Sequence, residues 1–174
     1  QRKSVEGYIS ILEDLLLASR VPVFQRRAKR AVTGHPKFYY FDTGVFRSVR
    51  PKGPLDSPDE INSAALEGLV FQHLRAWSEY RKRDVKLYYW RTRSGTEVDF
   101  ILYGEHCFHA IEVKNTREIR SRDLKPLKSF IDDYPECTPL MLYRGTSSVV
   151  IDGVLCMPVS RFLEELHPDR ALVQ

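Results

Sequence analysis

Cysteine is scarce in this sequence, and long apolar runs are missing. Its 174 residues contain three cysteines, Cys107, Cys137 and Cys156, with no CxxC pair and no histidine at zinc-ligand spacing. This odd, widely spaced set predicts reduced thiols rather than disulfides or a zinc site. Neither an apolar run of about 18 residues nor a basic segment leading into a hydrophobic one occurs, so no membrane span and no signal peptide are predicted. We therefore expect a cytoplasmic protein with no membrane partner.

Two further patterns are absent. The phosphate-binding pattern G-x-x-x-x-G-K-[ST] does not occur, so no nucleotide site is predicted in this chain. Internal repeats and low-complexity tracts are missing as well. Hydrophobic residues make up 43% of the chain and charged residues 29%, which is ordinary for a globular protein. The length of 174 residues is enough for one domain, or for one domain plus a small appendage.

Positive charge is concentrated near the start of the chain. Residues 1–53 hold eleven Lys and Arg against four Asp and Glu, a net charge of +7, which leaves −3 for the remainder. The segment QRRAKR places four basic residues side by side, a density that suits a nucleic-acid backbone through counterion release. A solvated surface or an interface with an acidic protein explains the segment equally well. The candidate nucleic-acid-binding residues are Arg26, Arg27, Lys29 and Arg30.

Residues 1–52 are predicted to be a separate basic segment. Apolar spacing indicates a helix that ends near Ala18, followed by a Pro-interrupted edge strand, RVPVFQ, and an aromatic strand, PKFYYFDTG. Helix, strand, basic loop and strand is the order at the end of a winged helix, whose loop would touch phosphates. The opening helix has no partners of its own, so we expect more protein upstream. The proline-rich stretch RPKGPLDSPDE then marks a boundary near residue 52.

Residues 53–174 are predicted to form an α/β domain. A long helix begins at Ser57, and three strand-like runs follow it, VKLYYWRT, TEVDFILY and HCFHAIEVK, joined by short turns. Connections this short require antiparallel neighbours, so the three strands should form a meander. A helix in SRDLKPLKSFIDDY, strands in TPLMLYRG and GVLCMPV, and a closing helix in SRFLEEL complete the predicted order.

Charged residues interrupt the second and third strands of the meander. Alternation places Glu97, Asp99 and Ile101 on one face of TEVDFILY and its other apolar residues, Val98, Phe100 and Leu102, on the opposite face. Glu112 and Lys114 share a face of AIEVK. Pairing through the turn would make Asp99 and Glu112 cross-strand neighbours. Two close carboxylates repel unless a cation lies between them, and Mg²⁺ prefers such oxygen ligands. A nearby lysine would orient a water and stabilise charge on a phosphorus under attack. The competing interpretation is a salt-bridged polar face at a sheet edge.

These residues also carry a resemblance to known proteins. EVDF, a short turn and IEVK, behind a helix containing Glu67, resemble the E…D…E-x-K signature of the PD-(D/E)XK phosphodiesterase superfamily, which includes restriction endonucleases and Holliday-junction resolvases. KFYYFDTGVFR, ALEGLVFQHL, LYYWRTRSGTEVDFIL and AIEVK resemble the uncharacterised C-terminal domain of a large family of archaeal and bacterial AAA+ ATPases. The resemblance covers nearly the whole chain. It implies a restriction-endonuclease-like core of helix, three-stranded meander, helix and strand after the tail of a winged helix, with a P-loop ATPase module upstream.

The resemblance also assigns roles by position. It makes Asp99 the central metal ligand, Glu112 the second ligand and Lys114 the catalytic lysine. Glu67 becomes the helix-borne acid that completes the metal shell. The superfamily's Pro-Asp is Val98-Asp99 here, a common change. The implied activity is Mg²⁺- or Mn²⁺-dependent cleavage of phosphodiesters, with DNA favoured over RNA as the partner and ATP used only by the upstream module.

Some roles remain open at this point. Arg91 and Arg93 precede the turn to the second meander strand and are predicted to guide a phosphate backbone, although exposed hairpin arginines are usually only solubilising charges. Glu97 is an extra acid, for which a supporting group or a surface charge is favoured over a metal ligand. The alternatives to a nuclease are a non-catalytic module that binds nucleic acid or protein and keeps the nuclease fold, and an oligomerisation or regulatory domain for the ATPase.

Overall fold

The computed structural model describes residues 2–26, 34–50, 53–81 and 85–173. The N-terminal elements are helix α1 (Arg2–Asp14), strands β1 (Ala18–Val21) and β2 (Lys37–Tyr40) and helix α2 (Thr43–Val49). Helix α3 (Pro58–Tyr80) leads into strands β3 (Lys86–Arg91), β4 (Glu97–Gly104) and β5 (Cys107–Lys114). A 3-10 turn (Ser121–Leu124) and helix α4 (Lys125–Asp133) follow, and the chain closes with β6 (Thr138–Tyr143), β7 (Val149–Ile151), β8 (Val154–Pro158) and α5 (Val159–Glu165).

A six-stranded mixed sheet forms the centre of the fold, in the order β3-β4-β5-β6-β8-β7. Strands β3, β4 and β5 pair antiparallel, which confirms the predicted meander. Strands β6 and β8 continue the sheet in parallel with β5, and β7 pairs antiparallel at the far edge. Helix α4 provides the crossover that a parallel pair such as β5 and β6 requires. The predicted mixed α/β class is therefore confirmed.

Helices cover both faces of this sheet. On one face, α3 and α5 pack through residues such as Leu74 and Phe162. On the other face, α4 contributes Leu127 and Phe130, which pack with Trp90 of β3. These side chains are almost fully buried, and burying each of them stabilises the fold by about 1.5–3 kcal/mol. The sheet is thus the middle layer between two hydrophobic cores.

The alternation predicted for β4 is wrong at the centre of the strand. Phe100 and Leu102 lie in the core beneath α3, whereas Val98 and Ile101 lie in the core beneath α4. The register against β3 shifts by one residue in this stretch, which is the mark of a β-bulge. Apolar contacts therefore occur on both faces of β4 instead of one, as in other sheets covered by helices on both sides.

The N-terminal elements differ from prediction in their boundaries. Helix α1 ends at Asp14, earlier than predicted, and Leu16 turns the chain with a left-handed φ of 59°. Strand β1 ends before Pro22, which has no N–H to continue the pairing. Strand β2 is short because Asp42 caps the unpredicted helix α2, accepting a hydrogen bond from the Val45 amide at 2.9 Å.

Helix α3 begins where the sequence predicts. Ser57 is its N-cap and accepts from the Asp59 amide at 3.2 Å, and Pro58 occupies the first turn, where its missing N–H costs nothing. Its 23 residues make it the longest described helix. No helix within the described ranges is long and apolar enough to cross a membrane. Strand β7 was not predicted, because its three exposed or half-buried residues show no alternation.

Burial of the cysteines gives a direct test of this packing. All three thiols are buried and free, and burial raises the pKa of Cys107 to about 11 and also raises the pKa of Cys137. We expect the native protein to react with a thiol reagent at pH 8 roughly 100-fold more slowly than the protein in denaturant, because a thiolate forms only after local opening. Rapid reaction of any cysteine in the native protein would contradict the packing.

Candidate functional site

Four carboxylate side chains gather where β4 begins and β5 ends: Glu97 and Asp99 from β4, Glu112 from β5 and Glu67 from α3. The β4–β5 register, extended by one residue, places Asp99 opposite Glu112. Asp99 is 9% exposed and Glu112 only 3%. The cluster lies at the carboxyl end of β5, which pairs in parallel with β6, and this end of parallel strands is the usual place for sites in α/β sheets.

The ammonium group of Lys37, from β2, lies among three of these carboxylates. Its Nζ is 2.5 Å from Glu97 Oε1, 3.0 Å from Glu67 Oε1 and 3.5 Å from Asp99 Oδ1. Burial lowers the pKa of this lysine, but the three carboxylates outweigh burial and the net shift of the pKa is upward. Lys37 therefore stays charged and takes the position between the carboxylates that sequence reasoning assigned to a metal ion.

Tyr39, two residues further along β2, orients Glu67. Its hydroxyl donates a hydrogen bond to Glu67 Oε1. Its ring stacks on Phe71 of α3, with centroids 4.4 Å apart and planes inclined by 14°. Burial raises the pKa of Tyr39, and the negative charge of Glu67 raises it further, so the hydroxyl keeps its proton. The tyrosine thus holds the helix-borne carboxylate toward the sheet.

Asp99 is fixed by the backbone of the neighbouring strand. Its Oδ2 accepts a hydrogen bond from the Val113 amide at 2.9 Å, which leaves Oδ1 directed toward Lys37. Burial raises the pKa of Asp99 well above its usual range, and the charges of Glu112 and Glu67 add to the rise. Lys37 and the amide lower this pKa, but not enough to cancel the effect. Negative charge at this position is therefore only partly compensated.

Glu112 and Lys114 form the second ion pair of the cluster. Lys114 Nζ lies 2.6 Å from Glu112 Oε1, while Glu112 Oε2 is buried and has no hydrogen-bond partner among the described residues. Burial raises the pKa of Glu112 more than Lys114 lowers it. Burial lowers the pKa of Lys114, but Glu112 outweighs this effect and the lysine remains an ammonium. A buried carboxylate oxygen without a partner is costly, and a bound cation would satisfy it.

The donor set fits a divalent cation. Four carboxyl groups face two ammonium groups, so the cluster carries a net charge of −2 when all four are ionised. Carboxylate oxygens are the ligands that Mg²⁺ and Mn²⁺ prefer. Among the described residues, however, no three His, Cys, Asp or Glu side chains are already arranged as a metal-binding group. The reason is geometric, because three of the carboxylates turn toward Lys37.

The sequence left three roles open for Glu97: metal ligand, supporting group and surface charge. The last of these does not fit the structure. Its side chain is 25% exposed and contacts Lys37 at 2.5 Å, so it is not an isolated surface charge. Sequence reasoning also missed Lys37 and Tyr39. Their alternation within KFYY places both residues on one face of β2. No local sequence pattern, however, predicts a contact between that strand and Glu67, which is 30 residues away from Lys37.

The residues predicted to contact nucleic acid lie in different places. Arg91 is beside the cluster, with Nη1 3.5 Å from Glu97 Oε2, and its side chain is 53% exposed. Arg93 is exposed in the turn before β4. Arg26 lies elsewhere, with its guanidinium 4.7 Å from the centroid of the Tyr103 ring. The predicted residues Arg27, Lys29 and Arg30 lie outside the described ranges.

A cavity of about 480 Å³ opens beside the cluster. Lys37, Glu67 and Glu97 form one side of it. Four aromatic side chains form another part of its lining: Phe38, Tyr39, Tyr40 and Phe46. Phe38 and Tyr40 pack edge to face at 5.1 Å. The cluster can therefore be reached from a cavity that combines charge with aromatic surface.

Comparison with known proteins identifies families but no activity. A family described as "Domain of unknown function (DUF4143)" matches residues 62–162, which is more than half of the chain. A second family described as "Domain of unknown function (DUF8612)" matches residues 1–56. No curated protein and no solved structure matches the chain.

Lys37 should contribute more to stability than an ordinary surface lysine. We expect Lys37→Met to lower the free energy of unfolding by about 2 kcal/mol or more, because it leaves the buried Asp99 and the half-buried Glu67 and Glu97 without their cation. The loss is smaller than for a fully buried ion pair, because the lysine is partly exposed. Denaturant titration would measure the change. Lys128→Met is the control, since it removes an ion pair to Asp152 whose side chains are 43% and 42% exposed, and it should cost about 0.5 kcal/mol or less. Equal losses in the two variants would contradict a special role for Lys37.

Proposed function

The chain belongs to the DUF4143 family, whose domain is found in AAA-ATPase-associated proteins, and we propose that it is a divalent-metal-dependent DNA phosphodiesterase at the C-terminal end of such a protein. The observation that carries the proposal is the carboxylate cluster, in which Asp99 and Glu112 are buried and Glu112 Oε2 has no hydrogen-bond partner among the described residues. The order α3, β3 to β5, α4, β6 supports a PD-(D/E)XK-like core. Helix α1 with β1 and β2 would be the tail of a winged helix.

In this proposal, Asp99, Glu112 and Glu67 hold Mg²⁺ or Mn²⁺. The bound metal would supply positive charge at the phosphate and lower the pKa of a water. The Val113 amide and the Tyr39 hydroxyl hold two of the three carboxylates in position before the metal arrives. Such preorganisation reduces the cost of assembling the site.

Lys114 has a different role, because it is not a metal ligand. Its ammonium pairs with Glu112 and is 38% exposed, so it can reach both the ligand and an incoming phosphate. The charged group would orient the attacking water and stabilise the negative charge that develops on the phosphate oxygens. Glu97 contacts Lys37, so in this proposal it holds that lysine rather than the reacting groups.

The surroundings of the cluster suit a nucleic-acid strand. Arg91 and Arg93 are exposed and lie next to the start of β4, where they would contact phosphates. The aromatic lining of the adjacent cavity, Phe38, Tyr40 and Phe46, offers surfaces on which bases stack. Arg26 contacts Tyr103 near the other end of β4, so it would contact the nucleic-acid backbone away from the cluster.

A second candidate function rests on Lys37. If its ammonium replaces the metal permanently, the domain is a non-catalytic module that binds nucleic acid or an acidic protein partner and keeps a nuclease-like fold for its shape. The three ion pairs of Lys37 favour this candidate. For both candidates we propose that an upstream AAA+ module is the partner and the site of ATP use. We also propose a cytoplasmic location, in keeping with three free thiols, and assembly into oligomers.

Cleavage assays separate the two candidates. We expect the wild-type protein to cut supercoiled, linear or branched DNA in the presence of Mn²⁺, and Asp99→Ala and Lys114→Ala to lose activity by roughly 100-fold or more, because charge stabilisation at the phosphate is lost. Lys128→Ala is a matched control, since its side chain is 43% exposed against 38% for Lys114. It should cut at the wild-type rate.

The same assays define failure for the catalytic proposal. Absence of cleavage on all substrates, with and without an added AAA+ module, would favour the binding module. Equal cleavage by the wild type, Asp99→Ala and Lys114→Ala would trace the activity to a contaminant or another site.

DNA binding can be tested apart from cleavage. We expect Arg93→Ala to weaken DNA binding about equally for all sequences. It should also reduce the magnitude of the slope of log K against log salt by about one unit, which is the contribution of one phosphate contact. Fluorescence anisotropy across a salt series, without divalent metal, measures both quantities. Arg161→Ala, which removes an arginine paired with Glu165 on α5, is the control. Identical salt slopes for the wild type and Arg93→Ala would remove Arg93 from the interface.

A further inference from the structure

We propose that Lys37 is a built-in competitor of the metal: its ammonium occupies the cation position of the carboxylate cluster and has to leave before a divalent cation binds. The inference rests on the proposed function, since it concerns the same site. The inference goes beyond the proposed function because it assigns a regulatory role to β2, which lies outside the nuclease-like core. A side chain of this strand would control when the site binds metal.

The contacts of Lys37 are those of a bound cation. Its Nζ lies within 2.5–3.5 Å of oxygens from Glu97, Glu67 and Asp99. Mg²⁺ and Mn²⁺ need carboxylate oxygens from the same cluster at short distance. Two cations cannot share these oxygens without strong repulsion, so ammonium and metal exclude each other.

The exchange requires movement of a side chain rather than of a strand. Strand β2 pairs with β1, and Tyr39 is tied to Glu67 and stacked on Phe71. The lysine side chain itself is flexible and lines the 480 Å³ cavity, which offers room for it. The Tyr89 ring, whose centroid is already 5.4 Å from Nζ, provides a face on which the displaced ammonium can rest.

Displacement of Lys37 also changes the charge that the site presents. With all four carboxyl groups ionised and both lysines in place, the cluster carries a net charge of −2, and it carries −3 when Lys37 withdraws. The open cluster, from which Lys37 has withdrawn, attracts a divalent cation more strongly. In the closed cluster, Lys37 already neutralises part of the negative charge. Lys37 therefore sets a threshold of metal concentration below which the site stays closed.

Calorimetric titration with Mn²⁺ tests this competition without any substrate. We expect Lys37→Met to bind Mn²⁺ with a Kd about tenfold or more below that of the wild type, because a competing charge at contact distance is gone. Lys37→Arg keeps the charge and should bind no more tightly than the wild type. Lys128→Met is the matched control: it removes a lysine whose exposed ion pair with Asp152 lies outside the cluster, and it should change the Kd by about twofold or less.

Thermal unfolding provides a second readout. Lys37→Met should have a lower Tm than the wild type without metal, and Mn²⁺ should raise its Tm by more than that of the wild type, since bound ligand stabilises the folded state. Asp99→Asn in each background should abolish this rise. If Lys37→Met does not fold without metal, Lys37→Gln, which keeps a polar group, is measured in its place.

The outcomes separate this inference from the proposed function. Equal Mn²⁺ affinity for the wild type and Lys37→Met, or tightening by Lys128→Met to the same extent, would overturn the competition and leave the metal site intact. Absence of Mn²⁺ binding by the wild type and by every Lys37 variant would overturn the metal site, and the competition with it.

Discussion

Four carboxylates crowd one end of the meander, and two of them, Asp99 and Glu112, are buried, so positive charge is needed there to stabilise them. Two lysines do so, Lys114 from within the sheet and Lys37 from the N-terminal strand β2. The second contact joins parts of the chain that are distant in sequence, since Lys37 reaches Glu67 on α3 and Glu97 and Asp99 on β4. An electrostatic requirement of the site thus also fixes the N-terminal strand against the helix and the sheet.

Packing of helices on both faces of the sheet determines where these charged residues can lie. Helices on both faces require apolar residues on both faces of β4, so its charged residues are confined to the start of the strand. The bulge allows Asp99 to lie on the same side as Glu97 while Phe100 still enters the core beneath α3. Because β5 runs antiparallel to β4 and parallel to β6, the beginning of β4 and the carboxyl end of β5 meet at one edge.

Elements with long, regular patterns could be predicted from the sequence, and short ones could not. Helix α3 and the meander follow from periodicity and from turns too short for any other connection. The proximity of Asp99 and Glu112 follows from the same register. Helix α2 and strand β7 have seven and three residues, too few for a periodic signal. Lys37 was missed for another reason: its partners are chosen by tertiary packing, which brings β2 onto α3 and leaves no local trace.

The state of the cluster distinguishes a permanent structural lysine from a replaceable one. A lysine that had taken over the metal's role entirely should leave every buried carboxylate oxygen satisfied, as buried polar groups generally are. Here Glu112 Oε2 has no partner among the described residues, and burial together with Glu112 and Glu67 keeps the pKa of Asp99 well above its usual range. The two lysines therefore compensate the cluster incompletely. A site with unmet demand for positive charge, next to an accessible cavity, is one in which a divalent cation would lower the free energy further, and this favours Lys37 as a temporary occupant.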